Sequence, residues 1–152
     1  MKNSLQEIAN KYDLNVYVYD ELVNLFDVPT GFYFYHRKWE ELAICFWTKN
    51  NQLSDFYVSI GYQKGESMDI EKFKLNCFEN KPIPTCPYGW DYLIEKFKDW
   101  NDEYIFFVKS GEFAEYVDEW LRKILTEIKS NDKIEMTQHF GIGGNNNDYL
   151  NV

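Results

Sequence analysis

The sequence predicts an α+β fold, a three- to four-stranded, mainly antiparallel sheet packed by helices in a single domain. Three observations predict it. Successive runs between residues 32 and 62 place apolar side chains at every second position and are joined by short links. Segments on either side repeat apolar residues every three or four positions. The chain has 152 residues, the length of one ordinary domain, which we place at 1–136, with a mobile tail at 137–152.

The elements follow in order. Ser4 and Glu7 have the spacing of a capping box, and Leu5, Ile8, Ala9 and Tyr12 recur at helical intervals, predicting a helix over 4–12. Residues 15–19 (NVYVY) alternate like a strand and residues 20–26 (DELVNLF) fit a helical turn, a stretch that periodicity leaves open. After a turn at Val28–Gly31, strands are predicted over 32–36, 41–48 and 55–62. Leu42, Ile44 and Phe46 share one face, as do Phe56, Val58, Ile60 and Tyr62. The opposite face carries Tyr33, Tyr35, Ala43, Cys45, Trp47 and Tyr57, so either helices cover both faces or one face is an aromatic docking surface.

Ser67 caps a predicted helix that stops before Lys81, with Ile70, Phe73 and Cys77 in its inner stripe. Pro82, Pro84 and Pro87 predict an extended connector. A helix over 91–99 follows, with Trp90, Leu93, Ile94 and Phe97 as its apolar face, then a strand over 104–109. Ser110-Gly111 opens the longest helix, 112–129, whose inner stripe is Phe113, Val117, Trp120, Leu121, Ile124 and Ile128. Three glycines and four asparagines among residues 141–152 predict the mobile tail.

Composition excludes more than it identifies. Sixteen basic residues face 25 acidic ones, for a net charge of −9. Only Arg37 and Arg122 are arginines. Nucleic-acid binding rests on a positive field and on arginine forks, so no direct nucleic-acid binding is expected. The N-terminal stretch is charged and amphipathic, unlike a signal peptide, and no apolar run approaches a membrane span, so neither export nor a membrane is expected. Cys45, Cys77 and Cys86 are odd in number and lack CxxC spacing, as befits a reducing cytoplasm. Cys45 and Cys77 are expected to be buried, and Cys86 exposed.

The chemistry-bearing residues form no catalytic or cofactor pattern. His36 and His139 are the only histidines and lie far apart, and no metal-ligand spacing occurs, so no metal or cofactor is expected. His36 reads as a solvated loop residue. Gly141-Ile142-Gly143-Gly144 lacks the spacing of a phosphate-binding loop. What remains is aromatic residues in number: twelve Tyr, twelve Phe and five Trp. Tyr and Trp anchor protein interfaces. The expected function is a non-catalytic protein-binding or regulatory module with a protein partner, its contacts drawn from Tyr33, Tyr35, Trp39, Trp47, Tyr57, Tyr88 and Trp90. One alternative is an acidic inhibitor of phage or plasmid type. In it Glu112, Glu115, Asp118 and Glu119 stand in for phosphates on a nucleic-acid-binding target. Another is a degenerate metal-dependent hydrolase or nuclease.

The segments Phe32–Trp39, Leu42–Tyr62, Pro87–Leu93 and Tyr104–Leu125 together carry a resemblance. In order they present an aromatic strand followed by Trp, a strand hairpin, a Pro-Tyr-Gly-Trp loop and a strand–helix finish. This pattern resembles the C-terminal accessory region of bacterial and phage proteins classed with the PD-(D/E)XK nuclease superfamily. That superfamily's core holds Mg²⁺ with an Asp on one strand and a [DE]-x-K on the next. Glu79-Asn80-Lys81 and Glu127-Ile128-Lys129 are tripeptides of that form, but neither follows a strand bearing an Asp. The resemblance therefore implies the accessory module without the catalytic core.

Overall fold

The computed structural model describes residues 2–18, 31–39, 42–48, 56–62, 74–93 and 110–131. Within them five strands form one sheet: β1 (Asn15–Val18), β2 (Gly31–Tyr35), β3 (Leu42–Thr48), β4 (Phe56–Tyr62) and β5 (Trp90–Tyr92). Their spatial order is their chain order, and each neighbouring pair is antiparallel. Two helices accompany them, α1 (Lys2–Lys11) and α2 (Glu112–Ser130). The architecture is α+β as expected, with five strands in place of three or four. The additions are at the two edges of the sheet.

Register sorts the side chains by face. Phe34 pairs with Ile44 and Ile44 with Ile60; Phe32 pairs with Phe46 and Phe46 with Val58. These residues are at most 3% exposed and form the core with Leu5 and Ala9 of α1 and Phe113, Val117, Trp120, Leu121 and Ile124 of α2. Phe113 meets Phe32 and Phe56 edge-on, with ring centres 6.0 and 5.8 Å apart. The Trp120 indole stacks on Phe78 at 5.8 Å and donates its N–H to the Leu93 carbonyl at 3.1 Å. Burial of an indole is thus achieved without an orphaned donor. Both helices pack on this one face.

α1 starts two residues before Ser4, so the capping box is not formed. Its other end is a Schellman turn: Leu14 N–H donates to Ala9 C=O at 2.9 Å and Asp13 N–H to Asn10 C=O at 3.3 Å. Asp13 occupies the left-handed position at φ 56°.

Three expectations between residues 74 and 93 are corrected. Residues 74–80 are turns and a bridge, not the end of a helix. Their backbone donors are taken elsewhere: Leu75 N–H goes to Tyr88 C=O, Asn80 N–H to Trp90 C=O, and those of Asn76 and Cys77 to the Glu127 carboxylate. No i−4 ladder can form from donors so engaged. The proline segment is no extended connector either. Ile83 and Cys86 exchange two backbone hydrogen bonds of 3.1 and 2.9 Å around Pro84-Thr85. Proline presets the φ that the second residue of such a turn requires. Trp90–Tyr92, finally, is the edge strand β5, paired with Tyr57–Ser59 of β4, and not the start of a helix. The remaining expectations at 20–30, 63–73, 94–109 and 137–152 lie outside the described residues. Among the described residues no helix is long and apolar enough to cross a membrane.

Candidate functional site

The sheet face turned away from the helices holds the aromatic set. Cross-strand pairing aligns Tyr17, Tyr33, Cys45, Ser59 and Trp90 in one row, and Gly31, Trp47, Tyr57 and Tyr92 in the next. On β1–β3, Tyr17 stacks on Tyr33 with ring centres 5.2 Å apart and an interplanar angle of 22°. Tyr33 continues to Trp47 at 6.5 Å and 28°, and Tyr35 lies 5.7 Å from Tyr33. On β4–β5, Trp90 meets Tyr57 at 6.2 Å and Tyr92 at 5.4 Å, both edge-on. Tyr17 is 38% exposed and the others are half-buried. Gly31 makes room for the row. A Cβ there would collide with the Phe46 carbonyl and lie 2.9 Å from the Trp47 ring, so the indole rests where a side chain would stand.

The centre of this face is closed. Ala43, Cys45, Ser59 and Gly61 are buried, yet Ala43 and Cys45 stand outside the helix-side core. The Ile83–Cys86 turn folds over them: a Cβ on Gly61 would sit 3.0 Å from the Thr85 carbonyl oxygen. Neither sequence alternative describes this face fully. Helices cover one side of the sheet, while a proline turn covers the middle of the other and leaves aromatic rings on both flanks.

The sequence-predicted residues divide accordingly. Tyr33, Tyr35 and Trp47 come together on one flank, Tyr57 and Trp90 on the other. Tyr88 is corrected: it is 1% exposed and part of the helix-side core. Its loop is short and tethered by Leu75, so the ring is drawn inward. Trp39 lies beyond β2, packed against the core and beside His36. Sequence reasoning missed Tyr17 and Tyr92. The alternation in Asn15–Val18 carried the signal for Tyr17, and assignment of residue 92 to a helix hid the second.

The carboxylates of α2 are not one open surface. Asp118 holds the Lys11 ammonium with both oxygens, at 2.8 and 2.9 Å, tying α2 to α1. Glu119 pairs with Lys123 at 2.8 Å, and this partner holds its carboxyl below the usual range. Glu112 and Glu115, in the first turn, are exposed and form no ion pair among the described residues.

Reactive groups are few. Burial pushes the Cys45 and Cys77 thiols up to about 12 and raises Cys86 as well. Cys77 is half-buried and Cys86 buried, the reverse of the expected order. Such thiols hold their protons and are poor nucleophiles at neutral pH. Burial likewise pushes the Tyr57 hydroxyl up to about 12. His36 is a partly exposed turn residue: its Nδ1 accepts the Lys38 N–H at 3.1 Å and its Nε2 lies 3.7 Å from Asp13. Among the described residues no three His, Cys, Asp or Glu side chains converge as a metal site. The two [DE]-x-K tripeptides lie apart in kind: Glu79–Lys81 belongs to the bridge region, and Glu127 is engaged with backbone N–H groups inside α2's contact. Comparisons with family models, curated proteins and solved structures found no match.

Proposed function

We propose that this chain is a non-catalytic protein-binding or regulatory module whose partner docks on the aromatic side of the sheet. The observation that carries this reading is the Tyr17–Tyr33–Trp47 stack, which runs across two neighbouring rows. Its rings are mounted on paired strands, with Tyr17 exposed and Tyr33 and Trp47 half-buried. Side chains already fixed by stacking lose little rotamer freedom when a partner covers them, which is what an interface anchor requires. The raised thiols argue against a cysteine nucleophile among Cys45, Cys77 and Cys86. The accessory-region resemblance belongs to the same reading, since such a module would act through contacts. Of the four carboxylates of the acidic-inhibitor reading, Asp118 and Glu119 are held by Lys11 and Lys123, which leaves it Glu112 and Glu115 among the described residues.

Affinity capture from the natural host, at low and high salt, tests both. The reading expects one stoichiometric partner, at least tenfold less retained by Tyr17→Ala and retained equally by the Glu112→Gln/Glu115→Gln pair. Loss by the glutamine pair and at high salt, with Tyr17→Ala unaffected, would replace it with the charge-based reading. Capture of nothing at either salt would reject both.

A further inference from the structure

We draw no further inference here: the strongest candidate, the shallow cleft of about 460 Å³ between the last turns of α2 and the Asn76–Cys77 turn, is lined by Thr126, Glu127 and Ser130 side chains already hydrogen-bonded within the chain, and nothing in the structure shows what would occupy it.

Discussion

Asp13 holds a left-handed backbone, φ 56°, at the position where a helix-ending Schellman turn favours glycine. Its side chain is 96% exposed and stands 3.7 Å from His36, a contact of little weight in water. Asp13→Gly keeps both backbone hydrogen bonds and removes the Cβ that disfavours this conformation. The relief is partly offset by the greater freedom of glycine in the unfolded chain. We expect a net gain of up to about 1 kcal/mol, read as a higher urea midpoint at unchanged slope. Cys45 makes the opposite kind of demand. Its thiol is pushed from an ordinary 9.0 to about 12 by burial. The folded state therefore keeps a proton that the unfolded state loses as pH passes about 9. Stability from this residue is whole below that pH and declines from there toward 12. Cys45→Ala should accordingly narrow the loss between pH 8 and pH 10 by about 1 kcal/mol, measured by denaturation at both pH values. An equal loss in both proteins would show that Cys45 is not the group responsible.

At the scale of elements, α2 does more than cover the sheet. Glu127 presents one carboxylate oxygen to the Asn76 N–H at 2.6 Å and the other to the Cys77 N–H at 2.9 Å. A carboxylate is acceptor-only and can serve both donors; an amide has a single acceptor and would turn its NH₂ toward the second. Glu127→Gln should cost about 1–3 kcal/mol and speed hydrogen exchange at Asn76 and Cys77 relative to the core strands. This element also shows where the sequence was readable. The β2–β4 meander and α2 were legible because their apolar periods of two and about three and a half run uninterrupted. Residues 74–80 were not, because what decides them is a carboxylate some fifty positions away. β5 was hidden for a related reason. Three residues are too few to show a period, and Trp90, Leu93 and Ile94 mimic a helical stripe. The aromatic face was legible as a set, but its partition into two flanks around a closed centre depended on the Ile83–Cys86 turn. The residues over which that turn folds are distant in sequence.

The whole molecule separates what stabilises it from what it offers a partner. Among the described residues, α1 and α2 pack on one face of the sheet and are themselves joined through Lys11 and Asp118. Leu121 lies in that layer at 0% exposure, whereas Tyr17 is on the edge strand of the other face at 38%. Truncating a buried leucine removes apolar contact and leaves a cavity, at a cost of about 2–5 kcal/mol. Truncating a tyrosine on the sheet surface leaves no core cavity, and its stacking on Tyr33 is worth about 0.5–1.5 kcal/mol. Leu121→Ala should therefore lower the urea midpoint far more than Tyr17→Ala, while Tyr17→Ala retains the native near-ultraviolet signature of its remaining aromatic residues. The contrast matters for function because it allows the docking face to be altered without unfolding its support. Equal destabilisation by the two substitutions would mean that the aromatic stack is part of the folding core, and the division of labour between the two faces would have to be abandoned.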